Sequence, residues 1–347
     1  MDRFTDDINW NVPDDWLVVD TIDMHTGGEP LRVITGGLPE IEGNTILEKR
    51  RFFREKLDHL RTGLMWEPRG HADMYGAVIT PPVSDEADFG TFFLHNEGYS
   101  TMCGHAIIAL TKLVLETGMI KKEGPSPELI IDAPPGKIYA RAQLERDRVK
   151  KVAFRNVPSF VYLMDQQLDV EGIGRLRFDI AYGGAFYAFC RAEDLNVMLD
   201  GTQYNKLIDY GKKIKSAVIK HFPVNHPFEP ELGFLYGTII TGAANKPHHH
   251  SRNICIFAEG EVDRSPTGSG VSARAAIHHA RGELQPGEEI TIESILDTTM
   301  GVTVKDITTY GPYNAVIPEV TGSAAFTGRH RFFFDPKDPL KEGFIFR

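Results

Sequence analysis

The chain has 347 residues, of which 41% are hydrophobic and 25% charged, and its formal net charge is -10. This composition is that of an ordinary globular protein, and the length predicts two domains. The acidic balance, without any cluster of lysine and arginine, argues against nucleic acid as a partner. No apolar run approaches the roughly 20 residues of a membrane span, and the acidic start lacks the features of a signal peptide. A cytoplasmic protein without a membrane partner is expected.

Regular elements of the first half alternate between strands and helices. The predicted order is a strand at 16–22, the turn HTGGEP at 25–30, a helix at 46–61, strands at 75–82 and 89–99, and a helix at 102–120. The helix at 46–61 has the apolar spacing of an amphipathic helix. The helix at 102–120 is apolar on nearly all sides, which predicts a buried central position.

The second half repeats this plan after a stretch near 155–175 that is expected to interrupt regular structure. Its predicted elements are a bent strand or strand pair at 178–190, a helix at 204–219, strands at 232–242 and 252–260, a turn and helix at 262–284, and strands at 288–296 and 308–326. We therefore expect one domain at 1–165, joined by the tail at 330–347, and a second domain at 166–329.

Each half contains a small-residue turn that leads into its central helix: TMCGHAI at 101–107 and SPTGSGV at 265–271. The first-turn N–H groups of a helix lack intrahelical partners and carry partial positive charge, so they can bind a carboxylate and stabilise a thiolate. Cys103 at such a position has the local chemistry of a base or nucleophile, with a lowered pKa. The alternative is a small buried cysteine without a chemical role.

The other cysteines and the histidine run carry less chemistry. Cys190 and Cys255 lie in apolar strand-like segments and are predicted to be core residues, and three scattered cysteines cannot form a disulfide framework. Adjacent imidazoles at 248–250 cannot all converge on one ion, and no CxxC pair exists, so no metal site is expected.

Three segments together, DMHTGGEPLRV at 23–33, MCGHA at 102–106 and DRSPTGSG at 263–270, resemble the proline racemase family. The resemblance extends over nearly the whole chain and includes YGG at 182–184. It implies a mixed α+β fold of two pseudo-symmetric halves of the diaminopimelate-epimerase type, each with a central helix wrapped by mostly antiparallel strands. It also implies a small-molecule substrate held between the two helix N-termini, a homodimer and no cofactor.

The resemblance assigns a role to each residue of these segments. Cys103 is the base, and it is also a candidate for the acid that protonates the leaving hydroxyl. Asp263 holds the ring ammonium with His105 as a polar neighbour. The backbone N–H groups at the two helix starts bind the carboxylate, and they belong to Gly104, His105, Gly268 and Ser269. Phe257 corresponds to an aromatic wall that excludes water. His25, Gly27 and Gly28 are interpreted as structural support beneath the site.

Thr267 departs from the pattern of the family's racemases and epimerases, which have a cysteine at this position. Racemisation needs a second acid or base on the far face of the α-carbon, and a threonine hydroxyl cannot replace a thiol near neutral pH. Thr267 is then left to hydrogen-bond the substrate or to fill space. The threonine-bearing members of the family resemble trans-3-hydroxy-L-proline dehydratases, which implies α-proton removal by Cys103 and formation of Δ1-pyrroline-2-carboxylate.

Two alternatives stay open from the sequence. One is a proline racemase or 4-hydroxyproline epimerase in which another group replaces the second thiol. The other is a non-catalytic protein that binds proline analogues through the same N–H groups at the two helix starts.

Overall fold

The computed structural model describes residues 10–346, so most of the acidic start, residues 1–9, lies outside the described residues. Eighteen strands of this part of the chain belong to one continuous hydrogen-bonded network, which curves around two buried helices. The mixed α+β architecture predicted from the sequence is confirmed. None of the helices within residues 10–346 has the length and apolar character needed to cross a membrane.

The first half contains eight strands and three helices. In chain order they are β1 (Leu17–Thr26), β2 (Glu29–Gly36), α1 (Ile46–Lys56), α2 (Asp58–Met65), β3 (Tyr75–Thr80), β4 (Phe89–His95), β5 (Gly98–Ser100), α3 (Gly104–Glu116), β6 (Glu128–Ala133), β7 (Gly136–Glu145) and β8 (Arg148–Arg155).

The second half begins with β9 and ends with the strand that returns to the first half. Its elements are β9 (Ser159–Val170), β10 (Gly174–Tyr182), β11 (Phe186–Arg191), α4 (Ala192–Leu195), α5 (Tyr204–His221), β12 (Leu235–Gly242), β13 (Ser251–Phe257), β14 (Glu261–Asp263), α6 (Gly268–Ala280), β15 (Glu289–Glu293), β16 (Thr299–Tyr310), β17 (Tyr313–Gly322) and β18 (Ala324–Phe334).

Strand pairing repeats between the halves. In the first half, β4 pairs antiparallel with β5 and parallel with β6, and α3 lies between β5 and β6 in the chain. In the second half, β13 pairs antiparallel with β14 and parallel with β15, and α6 occupies the same place. Strands of the two halves also pair with each other, since β18 pairs with β1 and β17 pairs with β8. The two central helices are therefore equivalent elements of a duplicated topology.

Both central helices are buried along nearly their whole length, as the apolar sequence of the first one predicts. Helix α3 packs against β1, β7, β8 and β18, whereas α6 packs against β9, β10, β16 and β17. The N-termini of α3 and α6 meet at the centre of the molecule, because the two helices contact each other through their first residues.

Two local predictions need correction. The predicted helix at 46–61 is two helices, because α1 ends at Lys56 and the chain leaves helical geometry at Leu57. The stretch near 155–175 does not interrupt regular structure, because β9 runs through it and pairs with β10. The predicted domain boundary at 165 and 166 falls inside β9, and the division into two domains stays a prediction.

Candidate active site

A small cavity of about 20 Å³ lies between the first turns of α3 and α6. Its lining combines the two helix starts with side chains from strands of both halves. The lining residues are Glu29, Tyr75, Met102, Cys103, Gly104, His105, Tyr187, Tyr236, Cys255, Phe257, Asp263, Thr267, Gly268 and Ser269. All eight residues that the sequence analysis assigned to the site belong to this set, although they come from three separate segments of the chain.

Cys103 is the N-cap residue of α3 and is 3% exposed. Its extended backbone turns the thiol back over the first helical turn, where the N–H group of Ala106 donates a hydrogen bond to Sγ at 3.3 Å. The Nδ1 atom of His105 lies 3.2 Å from the same sulfur. The thiol therefore occupies the positive end of α3, as the sequence predicts.

The expected lowering of the Cys103 pKa is wrong for this conformation. Burial raises the pKa of the thiol well above its ordinary value, the N–H of Ala106 opposes this effect, and the nearby Asp263 adds to it. Desolvation of a thiolate in a nearly closed cavity outweighs the field of the helix terminus. Burial, together with Arg264, also lowers the pKa of His105 to about 3, so the imidazole beside the thiol is neutral.

Thr267 is the corresponding N-cap residue of α6 but has an unusual backbone, with φ 67° in the left-handed region. Its side chain accepts no capping hydrogen bond, and its own N–H donates to the Ser265 hydroxyl at 3.1 Å. The buried Thr267 hydroxyl has no hydrogen-bond partner within the described residues, although its presence acts to lower the pKa of the Asp263 carboxyl and of the Cys255 thiol. Thr267 therefore presents an unsatisfied hydroxyl on the second-half side of the cavity.

Two carboxyl groups lie in the cavity wall, and only one of them, Asp263, is predicted from the sequence. Asp263 accepts a hydrogen bond from the N–H of Ser265 at 2.8 Å, and burial raises the pKa of its carboxyl. Glu29 was missed. One of its oxygens accepts from the Arg264 N–H at 2.8 Å and lies 3.2 Å from Nε of that residue. Its other oxygen is buried without a hydrogen-bond partner among the described residues.

Burial raises the pKa of Glu29 well above its ordinary value, and the neighbouring Asp263 raises it further while Arg264 opposes both. Two carboxylates this close to each other disfavour simultaneous ionisation. The two carboxyl groups are therefore not readily deprotonated together unless a cation enters the cavity and stabilises their negative charges. The position of Glu29 in HTGGEP was a usable signal, because that turn was already assigned to the support of the site.

Aromatic side chains close the rest of the cavity. Phe257, the predicted wall residue, stacks on Tyr236 with 5.2 Å between ring centroids. The Tyr187 hydroxyl lies 2.7 Å from the Ser269 hydroxyl at the start of α6. Tyr75 packs edge-on against the His105 ring at 4.8 Å. These three tyrosines come from strands without any distinctive local pattern, so nothing in the sequence identifies them as site residues.

The HTGGEP turn packs against the segment that leads into α6, since a Cβ atom built on Gly27 would lie 3.3 Å from the Cβ atom of Ser265. The Thr298 hydroxyl donates to the Gly27 carbonyl at 2.8 Å, and the Gly28 N–H donates to Nδ1 of His25 at 3.3 Å. In the histidine run, His249 lies 2.7 Å from a Glu293 oxygen instead of facing the cavity. Within residues 10–346, no group of three or more histidine, cysteine or acidic side chains is arranged to hold a metal ion.

Comparison with known proteins gives the same family along almost the entire chain. The family model for proline racemase matches residues 21–345. A trans-3-hydroxy-L-proline dehydratase from Colwellia psychrerythraea is 52% identical over 96% of this chain and 94% of its own. A protein named 3-hydroxyproline 2-epimerase from Burkholderia multivorans is 44% identical over 94% of this chain and 98% of its own.

The architecture also matches that of solved relatives. The crystal structure of a hydroxyproline epimerase from Agrobacterium vitis, with bound trans-4-hydroxy-L-proline, superposes with a TM-score of 0.91. The two chains are 30% identical, and the match covers 95% of this chain and 96% of the other. The duplicated topology, the paired helix starts and these matches together lead to one conclusion: this chain belongs to the proline racemase family.

Proposed function

We propose that this protein dehydrates trans-3-hydroxy-L-proline to Δ1-pyrroline-2-carboxylate, with Cys103 as the base that removes the α-proton. The observation that carries the proposal is the chemical difference between the two helix starts. A thiol caps α3 and a threonine caps α6, and both line the same cavity. The α3 start can therefore take a proton from one face of the α-carbon, whereas the α6 start has no thiol to return a proton on the other face. Cys255 also lines the cavity, but it lies in β13 and not at a helix start.

Substrate binding would use the charges that surround the cavity. The first-turn N–H groups of both helices would seat the carboxylate, since they lack intrahelical partners and bear partial positive charge. These groups belong to Gly104, His105, Gly268 and Ser269. The ring ammonium would pair with Asp263, and its positive charge would also favour ionisation of the adjacent Glu29.

The elimination itself follows from the substrate's stereochemistry. In trans-3-hydroxy-L-proline the hydroxyl lies opposite the carboxylate and therefore on the same face as the α-hydrogen. Cys103 would take that hydrogen as a proton, and the electron pair left on the α-carbon would form a double bond to C3 as the C3–O bond breaks. The helix N–H groups would stabilise the charge that develops during this step. The resulting enamine would tautomerise to the pyrroline.

The cavity is too small for the substrate, and the opening that binding requires changes the environment of the Cys103 thiol. A volume of about 20 Å³ holds about one water molecule, and hydroxyproline is several times larger. Substrate entry therefore requires the walls of the cavity to move apart. In such an opened site Cys103 would regain contact with water, which removes the desolvation that raises its pKa.

Epimerisation is the second candidate function, because one relative is named 3-hydroxyproline 2-epimerase. A substrate panel separates the two. We expect trans-3-hydroxy-L-proline to give a product that o-aminobenzaldehyde traps as a pyrroline, while the optical rotation of L-proline stays constant. Loss of optical rotation from L-proline or 4-hydroxyproline, without pyrroline formation, would contradict the dehydratase proposal. A homodimeric, cytoplasmic enzyme remains the expectation from the family resemblance.

A further inference from the structure

Tyr75 lies on the same side of the cavity as Cys103. It belongs to β3, is 4% exposed, and packs edge-on against the imidazole of His105, whose Nδ1 is 3.2 Å from Sγ of Cys103. Its hydroxyl donates to the Ser100 hydroxyl and lies 3.4 Å from the Tyr236 hydroxyl. The phenol is thus held by a short hydrogen-bonded chain that is independent of the second helix start.

The hydroxyl of Tyr75 and the thiol of Cys103 also influence each other electrostatically. Burial raises the pKa of Tyr75 well above its ordinary value, and the charge on Cys103 raises it further. In the other direction, a hydrogen bond from Tyr75 is among the effects that lower the pKa of Cys103. Tyr187 lies on the opposite side, because its hydroxyl is bonded to Ser269 of α6. Burial raises the pKa of Tyr187 and the charge on Cys103 raises it further, but of these two tyrosines it is Tyr75 that hydrogen-bonds to the thiol.

The dehydration leaves one chemical requirement unmet by a thiolate base alone. Hydroxide is a poor leaving group, and the departing oxygen needs a proton as the C3–O bond breaks. A neutral phenol is suited to this step even with a raised pKa, because water, the conjugate acid of the leaving hydroxide, is a much weaker acid than a phenol. In trans-3-hydroxy-L-proline that oxygen lies on the face of the α-hydrogen, which is the face of Cys103 and Tyr75.

We propose that Tyr75 is the general acid that protonates the departing hydroxyl, an inference that rests on the proposed dehydratase function. The Cα–H bond breaks and its proton bonds to Sγ of Cys103. The electron pair forms the Cα–C3 double bond as the C3–O bond breaks, and the oxygen takes the phenolic proton of Tyr75 and leaves as water. The phenolate then regains a proton from the Cys103 thiol, so the water carries away the proton that Tyr75 first held, the substrate's α-proton ends on Tyr75, and both side chains return to their starting states.

The test compares two substrates on the variant Tyr75→Phe. We expect turnover of trans-3-hydroxy-L-proline to fall on the order of 10²–10⁴-fold, the usual loss when a general acid is removed. Turnover of trans-3-chloro-L-proline should stay close to the wild-type rate, because chloride leaves without a proton. Exchange of the substrate α-hydrogen with D2O should persist in the variant, since Cys103 is intact. Tyr182→Phe is the matched control, because Tyr182 is another buried tyrosine, outside the cavity lining.

Equal losses on both substrates, or full activity on both, would overturn the role of Tyr75. If the wild-type protein itself forms no pyrroline, the proposed function fails instead, so the two failures are distinguishable. Should Tyr75→Phe not fold, incorporation of 2,3,5-trifluorotyrosine at this position gives a second measurement. The fluorinated phenol is a stronger acid, so the alkaline limb of the pH profile for the hydroxy substrate should move to lower pH. An unmoved limb would also overturn the inference.

Discussion

A Cβ atom built on Gly104 would lie 2.7 Å from the Cα atom of Gly268, and one built on Gly268 would lie 2.8 Å from the Cα atom of Gly104. The first residues of α3 and α6 are therefore in backbone contact, and no side chain fits between them. This contact brings two positive helix ends to one small cavity. The glycine that follows each N-cap residue is thus required by the approach of the two helices, in addition to any access it gives to a ligand.

Replacing Gly104 with alanine should separate the two helix starts. Alanine is favoured over glycine in a helix by about 1 kcal/mol, so helix propensity alone predicts a more stable protein. The clash with the Gly268 backbone acts in the opposite direction, and overpacking of this kind destabilises by about 1–3 kcal/mol. We expect Gly104→Ala to lower the free energy of unfolding in urea and to reduce kcat/KM strongly.

Gly201→Ala is the control for that experiment, since a Cβ atom at Gly201 would meet nothing within 4 Å. Its stability should stay within about 0.5 kcal/mol of the wild-type value, as for most surface substitutions. A Gly104→Ala protein with unchanged stability and activity would show that the helix starts can move apart without consequence.

Cys103→Ala should remove α-proton abstraction while leaving the protein folded. We expect turnover of trans-3-hydroxy-L-proline to fall by at least about 10²-fold, because the base is lost. Since burial raises the pKa of Cys103 in the protein without substrate, kcat/KM, which reports that state, should rise with pH across the alkaline range. The measurement is the pH profile of kcat/KM for the wild-type protein and the residual rate of the variant.

The matched control is Cys190→Ala. Cys190 is also fully buried and burial also raises its pKa, but it lies in β11 and does not line the cavity. This variant should keep the wild-type kcat/KM and the wild-type pH profile. Substantial turnover by Cys103→Ala, with the Cys190 variant unaffected, would remove Cys103 from the mechanism.

The position of Thr267 is expected to decide whether the far face of the α-carbon can exchange protons. A cysteine there would place a second thiol at the start of α6, opposite Cys103. We expect Thr267→Cys to introduce exchange of the α-hydrogen of proline with D2O together with loss of optical rotation. Thr267→Ser keeps a hydroxyl and should show neither effect. If Thr267→Cys also shows neither, residue 267 alone does not control the outcome.

The sequence predicts site residues well where they lie in short segments with a recognisable pattern. A reactive side chain followed by glycine at each helix start identified Cys103, Thr267 and their neighbours, and the structure brings all of them to one cavity. The pKa of Cys103 was not predictable in the same way. The field of the helix can be inferred from its position in the sequence, but desolvation depends on how closely the two halves meet.

Some site residues that lie on strands could not be predicted from the sequence. Tyr75, Tyr187 and Tyr236 lie in different strands, and only the sheet topology brings their side chains to the same cavity. The twelve-residue strand β9 was also missed, because its alternation of buried and exposed positions is weak outside its ends. Strand pairing with β10 determines that segment, and pairing is a property of distant parts of the chain.

Glu293 ends β15 at a buried polar cluster outside the candidate active site. Its side chain is 1% exposed. The N–H groups of Asn245 and Lys246 donate to its carboxylate at 2.7 and 3.0 Å, His249 lies at 2.7 Å, and the Arg252 guanidinium lies at 3.0 Å. Burial opposes the charged form, but these hydrogen bonds outweigh it and lower the pKa of Glu293 to about 2, from an ordinary value of 4.5.

Glu293→Gln should therefore destabilise the protein in a pH-dependent way. A lowered pKa in the folded state means that the carboxylate contributes fully to stability above pH 4.5 and loses that contribution as the pH falls toward 2. At about 1.4 kcal/mol per pKa unit, the contribution at neutral pH is about 3 kcal/mol. Urea unfolding of wild type and variant should differ by about this amount at neutral pH, and the difference should narrow below pH 4.5. The exposed Glu123, changed to glutamine, should show no such difference, and a gap that stays constant as the pH falls would contradict the assignment.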